Sequence, residues 1–159
     1  MPLIKAFDMV KYCKLFQCLV DRNLPAVMLR VLYKLYILVK LCVLDGMVDS
    51  LDAVNGVKQG GVLSPVLFCI YLDVLLTTLC SSKIGCFVGT MFTGILAYAD
   101  DIVLLAPTPQ AMRCMLSICE KYAAEFGVMF NATKSKMQFL TNRPKDINDM
   151  LYNLCTSWC

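Results

Sequence analysis

At 159 residues, 58% hydrophobic and with a net charge of +3, the chain is long enough to bury the core of one domain and too apolar to be a disordered segment. Ten cysteines without a single histidine, no two of them separated by just two residues, exclude the usual close-paired zinc sites. The charge permits a polyanionic partner without arguing for one.

In chain order, residues 11–21 carry the pattern of a short helix, and Pro25 opens a second that runs to about Tyr36. The β-prone residues 37–44 then meet Asp45-Gly46, a two-residue hairpin signal with a return strand over 47–54. Arg30, Lys34 and Lys40 interrupt the apolar run 24–44, so it lacks the roughly 20 uninterrupted apolar residues of a bilayer span. Asn55-Gly56 and Gly60-Gly61 mark a loop. Ser64-Pro65 starts a helix, with Ser as N-cap and Pro in the first turn. Leu67, Phe68, Tyr71, Leu72, Leu75, Leu76 and Leu79 follow at helical spacing. Ser64, Pro65 and Asp73 argue against a membrane span here too.

Residues 95–98 and 102–105 are apolar throughout, as expected for strands buried on both sides, and Ala99-Asp100-Asp101 separates them. Thr108-Pro109 starts the clearest helix, with Met112, Met115, Leu116, Cys119, Tyr122, Ala123 and Phe126 as its stripe and Gly127 as C-cap. Residues 128–130 and 137–140 read as a final strand pair, and 141–159 as a polar, weakly patterned tail. Helices mixed with mostly hairpin-linked strands predict an α+β layer architecture. Most cysteines sit among Leu, Ile and Phe, where a reduced thiol behaves as a small apolar residue. With no apolar signal segment before Lys5 and Asp8, this gives an intracellular protein, cytoplasmic or nuclear, with no membrane partner.

Asp100-Asp101 carries the most chemistry. Adjacent carboxylates repel, and no basic residue lies within five positions on either side. One reading is a polar hairpin tip. The other is a rigid hairpin that holds divalent cations, since Mg²⁺ is satisfied by a few carboxylates, retained waters and substrate phosphates.

Tyr98-Ala99-Asp100-Asp101, within Leu96 to Leu104, resembles the catalytic hairpin of reverse transcriptases. Upstream, Asn55-Gly56-Val57-Lys58-Gln59-Gly60-Gly61-Val62-Leu63-Ser64-Pro65 is similar to a second family motif. Lys5-Ala6-Phe7-Asp8 resembles the end of the first palm motif of non-LTR retrotransposons. Residues 127–136, with Asn131 and Lys134-Ser135-Lys136, resemble the fourth. The resemblance implies a right-hand polymerase palm over residues 1–140, an antiparallel sheet backed by helices. It implies RNA-directed DNA synthesis with Mg²⁺ on an RNA template and DNA primer, from deoxynucleoside triphosphates. Asp100 and Asp101 would be the metal ligands, Phe7 would pack under the incoming sugar, and Gln59 and Gly60 would lie against nucleotide and template. Lys134 would protonate the leaving pyrophosphate, or else be a solvated lysine.

One position departs from the pattern. Where the family carries the carboxylate shared by both metals, this chain has Pro2. Asp8 shares a face with position 2 but lies six residues on, roughly 20 Å along an extended strand. The fingers and thumb of the family are also expected to be largely missing from these residues. An inactive or merely nucleic-acid-binding relic of the palm therefore stands beside the active polymerase, and a membrane-associated hydrophobic protein is a further alternative.

Overall fold

The structure, a computed structural model, describes residues 1–38, 56–57 and 60–138. Helix α1 (Tyr12–Asp21) is followed by α2 (Ala26–Tyr33), which runs on into a π-helical turn, Lys34–Leu38. Helix α3 (Ser64–Ser82) leads to the short hairpin β1 (Phe87–Val88) and β2 (Met91–Phe92), then to β3 (Ile95–Tyr98) and β4 (Asp101–Leu104). Helix α4 (Pro109–Phe126) closes the order. This is the expected α+β, palm-like arrangement of helices with small antiparallel sheets. Most of the hairpin read at 37–54 lies outside the described residues. Its first two positions, Ile37 and Leu38, belong to the π-helical turn and not to a strand.

Helix α3 is the axis of the core. Its Tyr71, Leu75 and Leu79 are fully buried, with α1 and α4 packed against it. By length and composition it could cross a membrane. Its buried apolar residues, Leu67, Phe68, Tyr71, Leu72, Leu75 and Leu79, recur at three- and four-residue spacing and so form one face turned to the core, while Val66, Cys69 and Cys80 are exposed. Its start departs from expectation. Leu63 occupies the N-cap position without a side-chain cap bond, Pro65 lies in the first turn, and Ser64 is inside the helix. The Ser64 hydroxyl is buried and lies 3.5 Å from the Tyr36 hydroxyl, so a tertiary contact replaces the capping role.

Helix α4 matches its sequence signals. Thr108 Oγ1 accepts from the Ala111 N–H at 3.2 Å. Gly127 takes φ 70°, which a C-cap glycine adopts without a Cβ penalty, and donates to the Ala123 carbonyl at 2.8 Å. Three buried tyrosines tie the helices together. Tyr71 Oη donates to the Phe126 carbonyl at the end of α4 and accepts from the Lys11 N–H just before α1 at 3.3 Å. Tyr122 donates to the Tyr71 carbonyl, and Tyr12 to the Gly56 carbonyl at 2.6 Å. Surface pairs join Lys14 to Glu125 and Arg22 to Asp73.

The strands bury one face only. Ile102 is fully buried and Ile95 and Leu104 are partly so, whereas Leu96, Val103 and Tyr98 are 56%, 49% and 86% exposed. The expectation of strands buried on both sides is thus wrong. The helices cover one side of the sheet and the other side is open. Of the expected final strand pair, Phe130 forms an antiparallel bridge with Leu3, and positions 139–140 lie outside the described residues. Among the seven described cysteines, Cys18 and Cys119 are buried but Cys13, Cys69 and Cys80 are exposed, so the small-apolar role holds for only some of them.

Candidate active site

The β3–β4 hairpin places the carboxylate pair. Tyr98 and Asp101 are the last register partners, which leaves Ala99-Asp100 as a two-residue turn. Ala99 takes φ 52°. A positive φ at the first turn position is the backbone of a II′-type hairpin turn, which normally calls for glycine. Strain of this kind persists where surrounding structure holds it. Here the surroundings are the turn's own ladder and a segment bridged to it.

That segment is residues 1–4, joined to the hairpin by an isolated bridge at Pro2 and to Phe130 by another at Leu3. Met1 and Ile102 exchange backbone bonds at 2.6 and 3.0 Å, and the Leu3 N–H donates to the Asp100 carbonyl at 3.1 Å. On the opposite edge, Ile4 donates to the Met129 carbonyl at 2.8 Å and Asn131 donates to the Pro2 carbonyl at 2.9 Å. Between these bonds, Pro2 is the antiparallel partner of Asp101. The flanking bonds make it a non-hydrogen-bonded pair, the kind that brings side chains closer together, with Cα atoms about 4.5 Å apart. Pro2 therefore sits beside Asp101, and its ring contributes no ligand atom. Among the described residues no group of three acidic, histidine or cysteine side chains could hold a metal, and Asp8 does not complete the pair. Two neighbouring carboxylates suit one divalent ion finished by water and phosphate, and fall short of a two-ion centre, which needs a bridging carboxylate.

Phe7 is half-buried, its ring 5.0 Å from that of Phe68 on α3. Its carbonyl accepts from Val57, and the Val10 carbonyl accepts from Gly56, at 2.8 and 2.9 Å. Gly56 could be nothing larger, since a Cβ there would lie 2.8 Å from the Asp8 backbone. Gly60 has φ 80° with open space around it, which leaves room for a ligand to approach. Gln59 lies outside the described residues. Lys134 is exposed, on a loop tied through Asn131 to Pro2. Asn131 organises this loop, a role that its place in the motif does not by itself reveal. Its Oδ1 accepts from the Thr133 hydroxyl at 2.7 Å and the Lys134 N–H at 3.1 Å, and its carbonyl accepts from Ser135. An Asn followed by Thr and Ser is the available turn signal.

The paired hairpin, the bridged segment carrying position 2 and the helical backing are accompanied by a match to a family model. The model for "Reverse transcriptase (RNA-dependent DNA polymerase)" covers residues 2–148, and the chain belongs to that family. It is 40% identical over 91 residues, 57% of the chain, to the "Retrovirus-related Pol polyprotein from type-2 retrotransposable element R2DM" of Drosophila melanogaster. Over 126 residues, 78% of the chain, it is 32% identical to the type-1 element R2 Pol polyprotein of Nasonia vitripennis. The corresponding protein of Popillia japonica is 40% identical over 82 residues, 51% of the chain. The chain spans 8% of the length of the first of these relatives and 12% of each of the others.

Proposed function

We propose that this chain carries the palm hairpin of an RNA-directed DNA polymerase, in a form whose metal site lacks one carboxylate and which does not extend primers by itself. The pairing of Pro2 with Asp101 carries this reading. It sets a side chain without ligand atoms beside the hairpin, at the position where the family has its shared carboxylate.

Residues 1–140 act as the palm in this reading. Asp100 and Asp101 hold a divalent ion, Mg²⁺ inside the cell. A bound ion of this kind neutralises triphosphate charge and favours attack by the primer 3′-hydroxyl. Phe7, braced on Phe68, forms the floor under the incoming sugar, and Gly60 with Gln59 borders nucleotide and template. Lys134 faces the leaving pyrophosphate as a proton donor, on a loop whose register follows that of Pro2. RNA template, DNA primer and deoxynucleoside triphosphates are the partners.

Primer extension on a primed RNA template with Mg²⁺ tests this, comparing the parent chain with Pro2→Asp and with Asp100→Ala/Asp101→Ala. No incorporation by the parent, with a gain in Pro2→Asp that the double exchange abolishes, is the expected result. Incorporation by the parent that depends on Asp100 and Asp101 would show that the missing carboxylate is dispensable.

A further inference from the structure

We infer that the cleft between α1 and α2 binds single-stranded nucleic acid at a place separate from the β3–β4 hairpin, an inference that rests on the polymerase-family reading above. The cleft has a volume of about 420 Å³ and is lined by Phe16, Leu29, Arg30, Tyr33 and Lys34. None of these residues belongs to the hairpin or to the segments bonded to it.

The lining has two components. Phe16 and Tyr33 meet edge-to-face, with centroids 6.1 Å apart and planes at 64°. Tyr33 is 48% exposed, so solvent-borne groups reach its ring. Arg30 and Lys34 are four positions apart on a continuous helical run and so lie on the same side. Neither is ion-paired to a described residue, unlike Lys14 and Arg22, and none of the described lining residues is acidic. Two cations without an ion-pair partner among the described residues, beside the exposed Tyr33 ring, match a polyanion that also offers flat aromatic faces. Cationic grooves interleaved with aromatic side chains are the usual means of holding single strands, with phosphates on the cations and bases on the rings.

A lipid surface fits less well. Interfacial helices present a long convex apolar face flanked by cations. Here the rings line a concavity.

Fluorescence anisotropy with a labelled single-stranded RNA of about 12 nucleotides, at about 50 and 200 mM salt, tests the site. The parent is expected to bind. Arg30→Gln/Lys34→Gln should weaken binding about tenfold and lower the log–log salt slope by about 1.4, at roughly 0.7 per phosphate contact on single strands. Tyr33→Ala should weaken binding at least about fivefold and leave the slope unchanged. Lys34→Gln alone, a surface exchange, should lower the slope by about 0.7 and keeps the test valid if the double variant misfolds. Unchanged affinity and slope in all variants overturn the proposal. So does a parent that binds a primed RNA–DNA hybrid but no single strand, an outcome that leaves the polymerase reading standing. Binding of neither nucleic acid removes both. Binding of phosphatidylserine vesicles in place of RNA overturns the proposal in favour of a lipid contact.

Discussion

The Tyr122 hydroxyl donates to the main-chain carbonyl of Tyr71 at 2.9 Å, while the Tyr71 hydroxyl reaches back to the carbonyl of Phe126. These reciprocal bonds, with the Tyr122 and Phe126 rings stacked at 4.4 Å, lock α3 to α4. Tyr122→Phe removes one donor and should cost about 1 kcal/mol in urea unfolding. Tyr71→Phe also leaves the Lys11 N–H without its acceptor, and should cost about 1–3 kcal/mol. Because the two share a network, the double variant should depart from the sum of the singles by at least about 0.5 kcal/mol.

The same buried phenols predict loss of stability in alkali. Burial pushes Tyr12, Tyr71 and the Cys119 thiol up to about 12, and burial raises Tyr122 as well. Above the ordinary values of these groups the unfolded chain releases protons that the folded chain keeps, so ν_U falls below ν_N and stability drops as pH rises. The stabilisation is fully present below about pH 8, falls first through Cys119 and then, above about pH 10, through the tyrosines. Each fully engaged group contributes a slope of about 1.4 kcal/mol per pH unit. Urea midpoints measured between about pH 8 and 11.5 should decline with increasing steepness, and Tyr71→Phe should flatten the upper part of the curve.

Gly56→Ala should destabilise the fold by more than about 2 kcal/mol, because the new Cβ meets the backbone of Asp8 and not a side chain that could swing away. Chemical denaturation measures it. A cost below about 0.5 kcal/mol would mean that the 56–57 segment does not pack against residues 7–10.

Ala99→Gly should leave stability unchanged or raise it by up to about 1 kcal/mol, since glycine removes the left-handed penalty at φ 52° and adds unfolded-state entropy. Ala99→Val, β-branched at the same φ, should lower the melting temperature. Equal melting temperatures for the two variants would refute the turn geometry.

Local signals were readable in the sequence wherever the cause was local. Thr108, Pro109, the apolar stripe and Gly127 predict α4 because capping, φ and 3.6-residue periodicity are all written within one segment. The β3 and β4 runs, split by the Asp pair, were equally plain. The open face of those strands was not, since Leu96, Val103 and Tyr98 are apolar or aromatic although solvent reaches them, and a uniformly apolar run hides which side is covered. The two-residue strands β1 and β2 are too short to carry a period. At the site, Asp100, Asp101 and Phe7 stand out by residue type and motif. The pairing of position 2 with Asp101, and of Leu3 with Phe130, depends on contacts between distant parts of the chain that no local pattern encodes. Even so, Pro2 stands out in the sequence as a departure from the motif's spacing.

The bridged segment at residues 1–4 has a consequence for synthesis. It is stitched alternately to β4 and to residues 129–131, so its sheet is incomplete until the ribosome has delivered nearly all of the described fold. Helices α1 and α3 emerge earlier and can form locally, but the apolar flank of α3 that meets α4 must wait for residues 109–126. Contacts this distant along the chain form late, and apolar surface exposed in the interval is prone to capture by chaperones or aggregation. A nascent chain halted before residue 109 should therefore be far more protease-sensitive and more chaperone-dependent than one extended past residue 131. Closure of these bridges, more than of any helix, requires both ends of the described fold.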